Sequence, residues 1–490
     1  MTAWLTPGLD ATPEDSPEVR HPETLRFLED RKACRDLYTG SRAIHEDLVT
    51  YLPRHEAERP VDHARRGRFT EVYNGFGRTV SAITALVFQR PPGLGADIPR
   101  EIREHYEALG TNGAHGDVFL RDAFLDGLVT GYGGFLVEYP RVPEHLDGGR
   151  LTLKDVRDRR LRPTWSFVPA EDIRAWRTEP RGAEQVLTLL VLTETQTVPS
   201  GRFGVRREQR YRVYRHELAS NRITVELWAE RDGAGSRLQI IEEETELRGP
   251  SRIPFVGFQL GLPAGRFVAR PALLDLADVN LAHYRVNADR RWLMHLCCVP
   301  VPWAKGLITP EGAENPSVQI GPNVLLQLNE SGAFGWAEPA GTAFVPTAEE
   351  LQRLEQRMAT LGLAFIQRDT RAAETAEARR LDTASQNSTL ADAARRFEDA
   401  VEAGLAIHAE WCGLAIRKSA TESGGSFSLN RDFEATVIPE ATLSLLAGMQ
   451  ERGQLTLDTL WQLMERGQLL PAGFDADREK ARIALERDAA

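Results

Sequence analysis

From residue 270 onward the chain alternates long helical patterns with one β-rich insert, and this order constrains the fold more than any other feature. The apolar spacing predicts a helix over 270–296, short strands over 297–346 and a second helix over 347–367. A segment rich in Arg, Glu and Ala follows (368–387), and a long amphipathic helix begins at Ser388. Two long helices that are joined at one end by a β module and at the other end by a hinge are not typical of a single compact domain. The pattern favours a ring of subunits around a central channel.

Local signals place the ends of the first two helices. Pro271 is expected in the first turn of the first helix, where the missing N–H of proline costs nothing. Thr347 and Glu350 form a T-x-x-E capping box, which predicts a sharp start for the second helix at Thr347.

The long helix is expected to run from Ser388 to about Ala415 with one apolar face. Two interpretations of the opposite face stay open, a solvated surface or a channel wall. His408 lies on the apolar face and is expected to pack rather than to bind a metal. The charged face comprises Arg395, Glu398, Glu402 and Glu410.

The N-terminal half predicts a mixed α+β domain. Helical patterns lie near 69–88 and 116–130, and GYGGFLVEYP at 131–140 indicates a glycine turn that leads from a helix into a strand. Residues 163–260 consist of runs with β-branched or alternating apolar residues, separated by Pro, Gly and Asn. We expect a strand meander packed on the preceding helices.

Charge and hydropathy exclude two classes of function. The chain of 490 residues has 60 Lys and Arg against 71 Asp and Glu, a net charge of −11, which argues against a protein that wraps DNA. An acidic lining is compatible with a duplex that must slide past. No apolar run approaches the roughly 20 residues that span a bilayer. The acidic start resembles no secretory signal, so we expect no membrane contact and assembly in the cytoplasm.

Motifs for catalysis or metal binding are missing from the sequence. The four cysteines show no C-x-x-C spacing, and we expect no metal and no cofactor. The phosphate-binding, zinc-protease and serine-hydrolase motifs do not occur. An enzyme would need a site spread over distant residues, and this alternative stays open.

The order of elements from residue 270 resembles that of tailed-bacteriophage portal proteins, the head-to-tail connectors. Two further segments resemble that family. FTEVYNGFGRTVSAITALVFQRPP is similar to the apolar helix before the portal wing, and GMQERGQLTLDTLWQLMERGQL with the acid-rich ending is similar to the helical crown. The resemblance implies an α+β portal fold with these parts: a flexible N-terminus (1–20), N-terminal helices and an α/β wing (21–269), a first stem helix (270–296), a β-containing clip (297–346), a second stem helix (347–367), a tunnel loop or hinge (368–387), a tunnel-side helix with a strand that returns to the wing (388–438), and a helical crown (439–490).

The resemblance also implies a function. The expected protein is a dodecameric ring at one capsid vertex of the virion, which conducts double-stranded DNA during packaging and ejection. Its partners would be the terminase large subunit, a head–tail adaptor, and the major capsid and scaffold proteins. A different structural protein of phage head morphogenesis is the alternative.

Two groups of site residues follow from the resemblance. Trp303 and Lys305 in the clip are expected to meet the terminase and the adaptor. Arginines of the tunnel loop would form rings of positive charge near DNA, or salt bridges between subunits with Asp369 or Glu374, and both possibilities stay open. The tunnel-loop residues are Arg368, Arg371, Glu374, Glu377, Arg379 and Arg380.

Overall fold

The computed structural model describes residues 16–140, 158–159, 161–231, 237–297, 301–307, 327–337, 344–363, 376–414, 424–431 and parts of 445–485. It is a mixed helix-and-sheet structure and confirms the α+β class. The helices are α1 Pro22–Leu25, α2 Leu28–Thr39, α3 Ser41–Glu46, α4 Leu48–Tyr51, α5 Pro60–Arg68, α6 Gly75–Val87, α7 Arg100–Tyr106, α8 Gly116–Thr130, α9 Leu274–Cys297, α10 Phe344–Met358, α11 Ala376–Trp411 and α12 Leu457–Arg466, and a π-helical turn, Ala359–Leu363, follows α10.

The strands form antiparallel sheets. The main sheets have the orders β3-β2-β9 and β4-β5-β6-β7-β8, so the second is the expected meander. The strands are β1 Gly93–Leu94, β2 Tyr132–Glu138, β3 Thr164–Pro169, β4 Ile173–Arg181, β5 Glu184–Ser200, β6 Gly204–Glu217, β7 Arg222–Arg231, β8 Arg237–Glu246, β9 Phe255–Gln259, β10 Leu262–Pro263, β11 Ala269–Arg270, β12 Val301–Leu307, β13 Leu328–Ala337 and β14 Phe427–Ser428.

Helix α8 and strand β2 show how the sequence sets local structure. Gly131 ends α8 in the left-handed region at φ 96°, where a residue without Cβ is favoured. A Cβ at Gly131 would also lie only 3.0 Å from the backbone oxygen of Ala269. The predicted change from helix to strand at this glycine is confirmed, and β2 begins at the next residue.

Two apolar cores hold these elements together. The larger core joins α2, α6, α8, α9 and α11 to β2, and includes Phe124, Phe135 and Phe397. The smaller core lies between the two main sheets, where Trp176 and Tyr214 are buried. Strand β2 contributes to both cores, so it connects the helical layer to the sheets.

Residues 16–20 belong to the stretch expected to be flexible (1–20), and there the carbonyl of Glu18 accepts from the guanidinium of Arg174 at 2.7 Å. The backbone N–H of His21 donates to the carbonyl of Arg174 in β4 at 2.9 Å. The His21 ring also stacks on Trp176, with ring centroids 4.0 Å apart. Residues 1–15 lie outside the described residues.

No helix in the described part of the chain is both long and apolar enough to cross a membrane.

Candidate functional site: a helix–hairpin–helix projection

Helices α9 and α10 and the hairpin β12–β13 form a unit that projects from the core; we call it the projection. All nine buried residues of α9 lie between Leu274 and Ala288, in the part nearest the core. From Asp289 to Cys297 the helix is exposed or half-buried. In α10 the buried residues are Leu351, Leu354 and Met358, toward the end that returns to the core. The distal parts of both helices and the hairpin therefore extend away from it.

The starts of both helices differ from the predictions. Helix α9 starts at Leu274, so Pro271 lies before the helix and not in its first turn. Helix α10 already includes Phe344, so Thr347 is not its cap. The Thr347 hydroxyl instead donates to the backbone oxygen of Phe344 at 3.1 Å. Pro346 fits the first turn of a helix, which is compatible with the earlier start.

Buried polar contacts anchor α9 to the N-terminal helices. Asn280, fully buried, accepts from the backbone N–H of Phe76 at 2.9 Å and donates to the carbonyl of Tyr73 at 2.8 Å. The hydroxyl of Tyr284 donates to the carbonyl of Gly67 at 3.1 Å. These contacts fix the side of α9 that faces α5 and α6.

A buried ion pair lies further along the same side of α9. The guanidinium of Arg66 donates to both carboxylate oxygens of Glu58, at 2.7 and 2.8 Å. It also donates to Asp289 of α9 at 2.7 Å. The hydrogen bond from Arg66 holds the pKa of Glu58 below its usual range. Because Arg66 is almost fully buried, this contact anchors α9 where it leaves the core.

The hairpin at the far end exposes aromatic side chains on both faces. Trp303 pairs with Gly335 across the hairpin, whereas Phe334 and Trp336 pair with Ala304 and Pro302. Because side chains alternate along a strand, Trp303 and Lys305 lie on one face, opposite Phe334 and Trp336. Trp303 is 46% exposed and Trp336 50% exposed, and Lys305 is exposed as well.

Only half of the residues expected in the tunnel loop belong to the described part of the chain. Arg368, Arg371 and Glu374 lie outside the described residues. Glu377, Arg379 and Arg380 lie in the first two turns of α11; its first described residue is Ala376. The helix therefore begins well before Ser388. The segment from Ala376 to Thr389 contains neither Gly nor Pro, and its first six residues, AEARRL, favour helix.

Three of the four residues on the charged face of α11 accept hydrogen bonds from backbone N–H groups of other segments, so this face is not simply a solvated surface. Glu398 is buried and accepts from the backbone N–H of Leu429 at 2.6 Å. Glu402 accepts from the N–H of Phe427 at 2.9 Å, and Glu410 accepts from the N–H of Ser251 at 2.8 Å. These carboxylates attach the helix to its surroundings. Arg395 alone of the four predicted residues is exposed.

The strand expected after α11 is present but short. β14 contains only Phe427 and Ser428 and pairs with β1, Gly93–Leu94. Residues 432–438 of the expected strand, and much of the expected crown, lie outside the described residues. Helix α12 belongs to that crown segment.

His408 packs in the core and belongs to a small polar cluster. Its Nδ1 accepts from the indole N–H of Trp165 at 3.1 Å, and its Nε2 lies 3.0 Å from Nδ1 of His105. With Cys412 these histidines are a possible metal-ligating group in the described part of the chain. Tryptophan is only a donor, so Nδ1 of His408 carries the lone pair and Nε2 carries the proton.

This tautomer makes His408 a poor metal ligand, because a ligand nitrogen must be unprotonated while the other ring nitrogen normally donates. Burial also raises the pKa of the Cys412 thiol to about 12, so the thiol remains protonated. The cluster therefore fits a hydrogen-bonded core contact between α7, α11 and β3 better than it fits a metal site.

Sequence reasoning missed most of the anchoring residues. Asn280 and Arg66 bind partners 204 and 223 residues away in the chain, and no local spacing indicates such pairs. The one available signal was a polar residue inside an apolar helical pattern, which Asn280 provides between Val279 and Leu281.

Comparisons with known proteins give limited similarity. A family described as Domain of unknown function (DUF4055) matches residues 272–412, which contain the projection and α11 but only a minority of the chain. No curated protein matches the chain.

Two solved structures are similar over most of the chain. One chain comes from "Virion of native gene transfer agent (GTA) particle", with 13% identity and a TM-score of 0.34, over 90% of this chain and 98% of that chain. Another comes from "Neck of empty GTA particle computed with C6 symmetry", with 13% identity and a TM-score of 0.37, over 91% of this chain and 98% of that chain. At such low TM-scores neither similarity carries an argument about this protein.

Proposed function

We propose that this chain is a phage portal protein, the subunit of a ring at one capsid vertex through which DNA is packaged and ejected. The projection carries the proposal. Two helices leave a mixed helix-and-sheet core, a β hairpin lies at their far end, and a long helix, α11, packs back into the core. This order matches the stem, clip, stem and tunnel-helix order that the resemblance to portal proteins implies.

The exposed parts of the projection support an assembly of subunits. The hairpin β12–β13 is a two-stranded sheet, and such a ribbon is only marginally stable in water without further packing. Trp336 on one face would be covered if the hairpin packed against a neighbouring subunit, which leaves Trp303 on the opposite face for other partners. Where such contacts run head-to-tail, they generate rings when the rotation closes. We propose a dodecamer.

The position of α11 limits which residues face the channel. From Leu390 onward one side of the helix lies in the apolar core or contacts the sheets, so most of this part packs within the subunit, while Arg395 and Asp399 stay exposed. The channel-facing segment is therefore the N-terminal part of α11 with the residues before it. We assign the channel wall to Arg368, Arg371, Glu374, Glu377, Arg379 and Arg380.

Charge supports a channel that binds DNA weakly. Each subunit carries a net charge of −11, and a ring of such subunits disfavours tight contact with phosphates. Rings of arginine at the channel wall would hold DNA transiently, while Glu374 and Glu377 moderate that attraction. The exposed Trp303 and Lys305 at the end of the projection are the proposed contacts for the terminase large subunit and later for the head–tail adaptor. The sheet domain would contact the capsid and scaffold proteins.

The first test is the native mass of the purified protein together with electron microscopy. We expect rings of about twelve subunits with an axial hole wide enough for a DNA duplex. A monomer or a compact dimer at every concentration, with and without capsid and scaffold proteins, would contradict the proposal.

The second test addresses the channel wall. Arg368→Glu combined with Arg371→Glu should leave the ring intact and lower the amount of DNA packaged per particle. Arg100→Glu with Arg121→Glu makes the same change in net charge at exposed positions in α7 and α8, and serves as the control. Particles of the Arg368→Glu, Arg371→Glu variant that contain the normal amount of DNA would contradict the assignment of the channel wall. They would not contradict the proposal that the chain forms a ring.

A further inference from the structure

Strands β5 and β6 extend beyond the five-stranded sheet as a two-stranded ribbon. β4 pairs with β5 no further than Leu192, and β7 pairs with β6 only from Arg210 onward. Between these limits Thr195 pairs with Gln209, and the pairing continues to Ser200 and Gly204. We call residues 195–209 the β-arm. Within the described residues it has no strand on either side.

The tip of the β-arm is apolar and basic. Phe203 is 87% exposed and Val205 70% exposed. Residues 201–207 contain Arg202, Arg206 and Arg207 and no acidic residue. The guanidinium of Arg202 lies 5.0 Å from the centre of the Phe203 ring. A ribbon of this kind gains stability only when its apolar side chains are covered.

Strand β8, at one edge of the same sheet, has the complementary character. Its sequence IIEEETE combines two isoleucines with four glutamates. Ile240 is 47% exposed and Ile241 is exposed as well, and the carboxylates of Glu244 and Glu246 are exposed. The β7–β8 pairing shifts between Leu227↔Glu242 and Trp228↔Ile240, which leaves Ile241 as a bulge. A bulge discourages open-ended strand addition and re-aims side chains.

The β-arm cannot reach this edge within one chain. Ile240 pairs with Trp228, and Trp228 pairs with Tyr211, so Ile240 lies in the same row of the sheet as Tyr211. Phe203 lies eight residues before Tyr211 in the chain, in the direction that leads away from this row. At about 3.3 Å per residue, Phe203 is therefore roughly 25 Å from the row. The basic tip and the acidic edge can therefore meet only between two copies of the chain.

We propose that the β-arm of one copy docks on the β8 edge of the neighbouring copy. Phe203 and Val205 cover Ile240 and Ile241, and the arginines of the tip face the glutamates of β8. Because each copy offers one arm and one edge, the contact is head-to-tail and repeats around a ring. The inference rests on the proposed function for the ring closure, but the contact itself requires only two copies.

Charge reversal in the full-length chain tests the contact. Arg202→Glu with Arg207→Glu should lower the association constant of the copies at least tenfold, measured by sedimentation velocity at low salt. Glu244→Arg with Glu246→Arg should have a similar effect, and a chain that carries all four changes should recover most of the association. Arg100→Glu with Arg121→Glu is the matched control. Association of the arm variant equal to that of the control would overturn the inference.

Cross-linking separates this contact from the portal proposal. With the photoreactive residue p-benzoylphenylalanine in place of Phe203, an equal mixture of ¹⁴N- and ¹⁵N-labelled chains should give cross-links from residue 203 to residues 237–248 of a differently labelled copy. Rings without this cross-link would overturn the docking contact and leave the portal proposal standing. The cross-link in open head-to-tail oligomers without rings would support the contact and contradict the portal proposal. Cross-links only within one copy, or none, would overturn the inference.

Discussion

The side-chain oxygen of Asn280 accepts a hydrogen bond from the backbone N–H of Phe76, and this bond joins the N-terminal third of α9 to the first turn of α6. The N–H groups in the first turn of a helix have no partner within that helix. Asn74 satisfies the N–H of Gly77 from within the same chain segment, whereas Asn280 satisfies the N–H of Phe76 from a helix two hundred residues away in sequence. The projection is therefore attached to the core through backbone groups that α6 must satisfy in any case.

Asn280→Leu tests this attachment. The change leaves the buried N–H of Phe76 without its partner, which costs about 1–3 kcal/mol, whereas the carbonyl of Tyr73 still accepts from the N–H of Gly75. We expect a lower midpoint of thermal unfolding and faster amide exchange in residues 73–80, measured by hydrogen–deuterium exchange with mass spectrometry. Asn287→Leu on the same helix, where the side chain is less buried, is the control. Equal exchange in both variants would contradict the anchoring role of Asn280.

Arg66→Met should destabilise the protein in a pH-dependent way. In the wild type Arg66 holds the pKa of Glu58 below its usual range. The contact therefore stabilises the folded protein fully above the pKa of glutamate in the unfolded chain. This stabilisation is lost as the pH falls through the pKa of Glu58 in the folded protein. In the variant the carboxylate of Glu58 loses both hydrogen bonds from the guanidinium and keeps only that from the N–H of His55, which costs about 1–3 kcal/mol near pH 7.

Protonation of Glu58 relieves that cost, so the difference between Arg66→Met and wild type should shrink as the pH falls from 7 to 4. Urea unfolding at both values measures it. The neighbouring Arg65→Met changes an exposed arginine and should have little effect at either pH. A difference that stays constant or grows toward pH 4 would show that Glu58 is not the group involved.

His408→Gln should make the protein less sensitive to acid. Burial, with the nearby His105 and Arg162, lowers the pKa of His408 to about 3. Between pH 6.5 and 3 the unfolded chain binds a proton at this residue while the folded chain does not, so stability falls as the pH falls. At pH 5 this loss is about 2 kcal/mol, at 1.36 kcal/mol for each pH unit.

A glutamine at position 408 can accept from Trp165 and donate to His105, and it does not titrate. The variant should therefore lose less stability than wild type between pH 7 and pH 5, measured by thermal unfolding at both values. His295→Gln, at an exposed histidine in the distal part of α9, should behave like wild type. Identical pH dependence in the wild type and in His408→Gln would contradict the assignment.

Glu398→Ala should release the segment that follows α11. The carboxylate of Glu398 accepts from the N–H of Leu429 and lies 3.6 Å from the guanidinium of Arg431. Without it we expect faster amide exchange over residues 424–431, while the exchange of α8 stays unchanged. Asp399→Ala removes an exposed carboxylate at the next position and is the control. Unchanged exchange over residues 424–431 would mean that other contacts, such as that between Glu402 and the N–H of Phe427, hold the segment without Glu398.

The sequence predicted elements whose signals are local. Helix α8 ends where Gly131 permits the left-handed conformation, and the meander follows alternating apolar residues such as those from Tyr211 to His216. The start of α10 was predicted wrongly, because a T-x-x-E spacing also fits inside a helix that begins earlier. The acidic face of α11 looked like a solvated or channel surface, since nothing nearby indicates that Glu398 and Glu402 bind the backbone at Leu429 and Phe427. Contacts between distant segments determine the role of such charged residues, and periodicity carries no information about them.

The hairpin of the projection gives the last prediction, which concerns assembly rather than folding. Trp303→Ser and Trp336→Ser change exposed residues on opposite faces of the hairpin, so each should leave the unfolding midpoint of the isolated subunit unchanged. If the face with Trp336 contacts a neighbour in a ring, Trp336→Ser should weaken the ring, because it removes one side of a repeated contact, whereas Trp303→Ser should not. Leu262→Ser, at an exposed leucine of β10, is the control for the loss of an exposed apolar side chain. Native mass spectrometry of the three variants at one concentration measures the fraction of rings. Rings that Trp336→Ser leaves unaffected, or that Trp303→Ser weakens, would contradict the proposal that one face meets a neighbour and the other is left for the terminase or the adaptor.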